Sequence, residues 1–316
     1  MLGVLFLTIA LCSGFYLKAQ DSGQTESEPI LYPELAEELI EMRDSDQKLR
    51  IKWGGMIRKG KTGSKRYRAL SKQLLAADRA HTQRMKEIVA EYGWPTFEKV
   101  GPMASRSAWV LVQHADRDPF FQAECLALME EALEAEQVYP RNYAYLYDRV
   151  QVAFGEKQLY ATQSTSNNGL WEGHFQPIAQ ESQVQERRED MGITRHVEEY
   201  AVSMGFTYTI PTEEEARLRS DSIVNAYRSH RDEGMKALES QDWKQAIHHL
   251  ERATRCHGSV QAEDYVHLAK ALSLSEDPAA RRAFYPLIRA IVQGYEPAAS
   301  LKTDPDLDYL RSLLTD

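Results

Sequence analysis

Apolar positions recur every three or four residues through most of the chain, the period of a helix that buries one face. One such stripe covers residues 35 to about 51. A second runs over residues 69–92 and is closed by Gly93, with Pro95 as a stop signal. Residues 104–116 follow. Asp118-Pro119 then caps and opens a helix through residue 136, and Pro140 opens one through residue 154. The first region therefore reads as a helical array.

The period changes after residue 158. Residues 159–165 and 170–175 are β-prone runs flanking Ser166-Asn167-Asn168-Gly169, and Asn-Gly between such runs signals a hairpin. A hairpin near residues 158–176 is expected to close the helical region, with residues 158–163 on its first strand. Beyond Tyr200, Thr212-Glu213-Glu214-Glu215 forms a capping box for a helix reaching about Ser240, and Asp242 caps residues 243–255.

Gly234, Ala246, Leu250 and Ala253 fall at the packing positions of a tetratricopeptide repeat, which they resemble. A looser copy has Tyr265, Leu268 and Ala269 on one helix and Ala283, Leu287 and Ala290 on the next. Asp304-Pro305 opens a last short helix that can cap the stack. Two copies are fewer than the three that stand alone, so this region is expected to pack on the first domain or on a partner. The expected fold is mainly α: a helical array closed by one β-hairpin, then a short tetratricopeptide-like stack.

Composition bounds the function. Of 316 residues, 43% are hydrophobic and 27% charged, as in a soluble globular protein of one large or two ordinary domains. A formal net charge of -9 argues against nucleic acid held by overall attraction. Residues 2–17 are apolar and uncharged, and Lys18-Ala19-Gln20 leads into a polar stretch. This predicts a signal peptide over residues 1–20, a linker over 21–29, and an exported protein of the periplasm, envelope or medium. A retained single-span anchor is the alternative, since no positive segment precedes the apolar run. Cys125 and Cys256 fall in different regions, and no bridge between them is expected.

Residues 48–72 carry Lys48, Arg50, Lys52, Arg58, Lys59, Lys61, Lys65, Arg66, Arg68 and Lys72 with no acid. Read as a glycine-bearing basic loop, this stretch meets an anionic surface or an acidic partner, or is simply solvated. Within it, Gly55-Met56-Ile57-Arg58-Lys59-Gly60-Lys61-Thr62 satisfies the phosphate-loop pattern letter for letter. The charged residues before it cannot be the buried strand that such a loop needs, and no ATP is expected.

Six motifs recur in order: Asp46-Gln47, Gly93-Trp94-Pro95, Gln113-His114-Ala115-Asp116, Gln122, Asp148-Arg149 and Gln158-Leu159-Tyr160-Ala161-Thr162-Gln163. Together they resemble a bacterial family, domain of unknown function 6624, over about residues 35–200. The resemblance implies a domain without an established activity, bounded here at 30–205, with the helical stack over 206–316. The family usually reads Tyr-Gly-Thr-Gln where this chain has Ala161, a place where glycine would let a ligand or strand approach.

The chemistry of these residues leaves several readings open. Gln113, Gln122, Gln158 and Gln163, with Tyr160, suit polar recognition, because amides donate and accept but move no protons near neutral pH. The titratable candidates are Asp46, His114, Asp116 and Asp148, with Arg149 as a fixed anion binder. On a helix His114 and Asp116 diverge by about 200° and cannot chelate one metal. No other ligand spacing is recognisable, so neither metal nor cofactor is implied. Asp148 or Asp116 orienting His114, with Arg149 or Gln163 on a ligand carboxylate or carbonyl, would serve a hydrolase or lyase. A buried network tying the hairpin to the helices accounts for the same residues. For the whole chain, binding or scaffolding of a protein partner through the C-terminal helices is the leading expectation.

Overall fold

A computed structural model describes residues 29–165, 173–256, 259–275, 286–287, 290 and 304–308. The expected signal peptide, nearly all of the linker, the hairpin turn and Ala283 lie outside the described residues.

The protein is mainly helical. Helices α1 (Pro33–Arg58) and α2 (Lys65–Tyr92) form an antiparallel pair against which α3 (Phe97–Gln113) packs. Helices α4 (Pro119–Glu134) and α5 (Pro140–Ala153) complete the array. Proline opens α1, α4 and α5, where the missing N–H has no helical partner to lose. Ser64, Thr96 and Asp118 cap α2, α3 and α4 by accepting from the backbone of Tyr67, Lys99 and Phe121. Leu39, Met85, Ile88, Ala108, Val112, Cys125, Met129 and Leu146 are fully buried at the centre. The periodicity placed the start of α3 at residue 104. A separate short turn precedes it, set apart by Gly101 at φ 77° and followed by Pro102.

The basic stretch is not a loop. Helix α1 continues to Arg58 and α2 starts at Lys65, leaving only a short turn between them. Trp53 stacks on Tyr67 with ring centroids 5.9 Å apart, and its Nε1 donates to Ser71 Oγ, which clasps the two helices through the charged region. Lysine and arginine are themselves good helix formers. Gly55 to Arg58 make the last turn of α1, so that part of the phosphate-loop pattern is wound into helix.

The hairpin is present but short, with β1 (Ser164–Thr165) antiparallel to β2 (His174–Phe175). Residues 158–163 were expected on its first strand and are not. Gln158 makes one isolated bridge to Ile178, and the backbone then turns so that its N–H groups meet a carboxylate instead of a neighbouring strand. Helices α6 (Val184–Asp190) and α7 (Val197–Ser203), which periodicity did not reveal, cover this segment. They build a second core with Ala161, Phe175 and Ile178.

Helices α8 (Glu213–Glu239), α9 (Trp243–Ala253) and α10 (Ala262–Leu274) form the helical stack. Thr212 and Glu215 close the expected capping box. Leu250, Leu268 and Leu272 pack with Leu307 from the short turn Pro305–Leu307. The stack is joined to the first domain by Lys157 Nζ donating to Ser220 Oγ and by an Arg219–Glu181 ion pair, both at 3.1 Å. Among the described residues no helix is long and apolar enough to cross a membrane.

Candidate functional site

Where α1 packs on α3, a carboxylate meets an imidazole. His114 is the C-terminal cap of α3, and its Nδ1 lies 2.9 Å from Oδ2 of the fully buried Asp46. Arg50, one turn along α1, donates from Nε to both Asp46 oxygens at 3.0 and 3.1 Å, and Gln47 Nε2 donates to Oδ2. Burial would raise the Asp46 carboxyl, but His114 and Arg50 outweigh it and hold it at about 2. Asp46 is therefore ionised and fixed in place. The His114 Nδ1 approach to Asp46 is an ion-pair contact off the line of a hydrogen bond, and the His114 side chain is 23% exposed.

Helix α2 contributes the outer groups. Arg50 also pairs with Asp78, whose carboxyl burial pushes up against the pull of that guanidinium. Burial pushes the His81 imidazole down, against the attraction of Asp46 and Asp78. Its Nδ1 is buried without a partner, and its Nε2 is 3.4 Å from Ser45 Oγ.

Beside this dyad stands Arg149 of α5. Its Nε donates to Gln113 Oε1 at 3.0 Å, and its Nη1 pairs with Asp116 at 2.6 Å. Asp116 thus serves the arginine and not His114, contrary to one of the two expected pairings. Asp116 lies beyond the end of α3, so its direction is not set by the helical spacing assumed for it.

The other expected partner, Asp148, is committed elsewhere. It is fully buried and accepts the backbone N–H of Leu159, Tyr160 and Thr162, at 2.8, 3.0 and 2.9 Å, and the Thr162 hydroxyl at 2.9 Å. Burial pushes its carboxyl up while these four donors oppose the rise. The residue skipped is Ala161, at φ 50° in the left-handed region. That conformation turns the chain so that its neighbours can share one carboxylate, and it is why glycine suits this position.

Several glutamines likewise hold the chain to itself. Gln158 Nε2 donates to the carbonyls of Gln163 and Gln176, and its Oε1 accepts the Gln163 N–H. Gln122 Nε2 donates to the Val112 carbonyl at the end of α3. Tyr160 is buried edge-on to Tyr147. Gln163 Nε2 donates to Thr162 Oγ1. The structure therefore pairs His114 with Asp46 and, in a second cluster that meets it through the chain at the end of α3, Arg149 with Gln113 and Asp116, and it separates off Gln122, Asp148, Gln158, Tyr160 and Gln163 as supports.

Arg50, Asp78, His81 and Arg188 also matter, and motif reading passed over them. The i, i+4 spacing of Asp46 and Arg50 was an available signal. Arg188 carried none. It is fully buried, donates from Nη1 to the Tyr160 carbonyl and from Nη2 to the Arg195 carbonyl, and sits 5.3 Å over the Tyr200 ring.

Among the described residues no group of three or more metal-ligating side chains comes together. A separate cavity of about 360 Å³ lies between the hairpin and α8, lined by Lys157, Tyr208 and Arg219 among others. It contains no member of the dyad.

Residues 33–211 match the model of a family described as Family of unknown function (DUF6624), a span that includes every residue of the site. No curated protein and no solved structure matches the chain.

Proposed function

We propose, from the premise that the chain belongs to this family of unknown function, that the family domain carries an acid–base site for a polar small molecule. In this reading His114 Nε2 accepts the proton and Asp46 positions the ring, as in a hydrolase or lyase. One observation carries it: the 2.9 Å approach of His114 Nδ1 to the fully buried Asp46 carboxylate, in a side chain that remains 23% exposed. A carboxylate on Nδ1 favours the tautomer that keeps the lone pair on Nε2. Arg149, steadied by Gln113 and Asp116, supplies a fixed positive charge for an oxygen that gains charge during reaction.

The stack of α8 to α10 supports a second, accompanying reading, in which these helices hold a protein partner. The close fit of α8 on α9 at Gly234 and Leu250 favours it, as in stacked helix pairs generally. The apolar, uncharged run of residues 2–17 supports export, and with it a setting outside the cytoplasm for both roles.

The test is depletion by mass spectrometry of pooled small esters, amides and hydroxy acids incubated with the full chain. Consumption of at least one compound should fall at least about a hundredfold in both His114→Asn and Asp46→Asn. Consumption at the original rate in either variant, or none by the unaltered protein, would overturn the proposal.

A further inference from the structure

Helices α3 and α5 face each other across two rungs one helical turn apart. In one, the rings of Trp109 and Tyr145 meet at right angles, 6.2 Å between centroids. In the other, Gln113 accepts from Arg149. In each rung the α3 member keeps a buried N–H with no partner: Trp109 Nε1 and Gln113 Nε2.

Buried polar groups are nearly always bonded, so two bare donors one turn apart on one seam call for an explanation. Both are donors. Gln113 Oε1 is already taken by Arg149 and Asp116 by the same guanidinium, and neither bare N–H meets an acceptor among the described residues. What completes such a seam is a group that only accepts. Asp46, Asp78 and Asp116 stand close by, and three carboxylates repel a dianion more strongly than a monoanion. A carboxylate meets both conditions.

We propose that the seam between α3 and α5 binds a carboxylate of the ligand, which accepts from Trp109 Nε1 and Gln113 Nε2 with the Arg149 guanidinium beside it. This rests on the acid–base reading and narrows it. Gln113 immediately precedes His114 at the end of α3, so the carboxylate and the proton acceptor are carried by the same helix end, and the substrate is a small carboxylic acid.

The indole N–H of Trp109 reports directly on this contact in the nitrogen-15-labelled full chain, its cross-peak being the one lost in Trp109→Phe. Titration with propionate should shift that peak saturably, while propionamide should not. Gln113→Glu and Gln113→Leu should each weaken the response at least about tenfold with the other indole peaks in place. His114→Asn should keep it, so a failure of proton transfer is told apart from a failure of binding. No shift with propionate, which would mean that water fills the seam, overturns the proposal. So does a larger shift with inorganic phosphate, or an unchanged response in both Gln113 variants.

Discussion

Asp148 Oδ2 accepts two hydrogen bonds from Thr162, one from its backbone and one from its hydroxyl, both 2.9 Å long. With Leu159 and Tyr160 on the same carboxylate, this gathers the motif loop onto α5 just before Arg149. Asp148→Asn puts an amide N–H₂ where an acceptor is needed and leaves buried donors unpaired. The variant should lose about 3 kcal/mol of stability in urea denaturation. A loss below about 1 kcal/mol would mean that the carboxylate does not organise the loop.

Ala161 supplies a second check on the same loop. At φ 50° a residue with a Cβ costs about 1–2 kcal/mol, which glycine would relieve. Glycine also gives up a buried methyl, about 0.8 kcal/mol, and adds unfolded-chain freedom, about 0.5–1 kcal/mol. The terms nearly cancel, so Ala161→Gly should stay within about 1 kcal/mol of the original chain. Ala161→Val should destabilise by more than about 2 kcal/mol, since a branched side chain tolerates this backbone least. Equal stability of the two variants in urea would contradict the left-handed turn.

These two residues also show what could be read from the chain. The helix ends were legible because Asp118-Pro119, Gly93 and the Thr212–Glu215 box act locally, each through its own backbone. Residues 159–163 read as a strand because their composition suits one. What decides their shape is a carboxylate on α5 that captures their N–H groups, and no local pattern records that. The basic stretch read as a loop because glycines punctuate it, whereas Trp53 clasping Tyr67 and Ser71 across two helices keeps it wound. At the site, the types of residue were visible and the pairing was not. His114 takes its carboxylate from α1, and only the packing of α1 on α3 brings Asp46 there.

Acid should reveal the Asp46 interaction. Its folded carboxyl titrates at about 2, below the ordinary 3.8, so the stabilisation is complete above 3.8 and is lost as pH falls toward 2. The shift corresponds to about 2 kcal/mol. Urea midpoints measured between pH 5 and pH 2 should fall in the original chain, with that part of the fall missing from Asp46→Asn. Parallel curves for the two proteins would remove Asp46 as an ion-pair anchor.

The helical stack carries a steric test. A Cβ on Gly234 would lie 2.8 Å from Leu250 Cγ, and Leu250 is fully buried. Alanine is the better helix former by about 1 kcal/mol, but overpacking costs about 1–3 kcal/mol. Gly234→Ala should therefore lower the melting temperature, and Gly234→Ala with Leu250→Ala should relieve the clash while opening a void. A raised melting temperature in the single variant would show that α8 and α9 are not so close.

The dyad itself is tested most directly by the tautomer of neutral His114, read from long-range proton–nitrogen correlations of its ring in the full chain. The expected result is a proton on Nδ1, toward Asp46, and a bare Nε2, with this preference lost in Asp46→Asn. A proton on Nε2 in the original chain, or a tautomer unchanged by Asp46→Asn, would contradict the assignment of His114 as the proton acceptor.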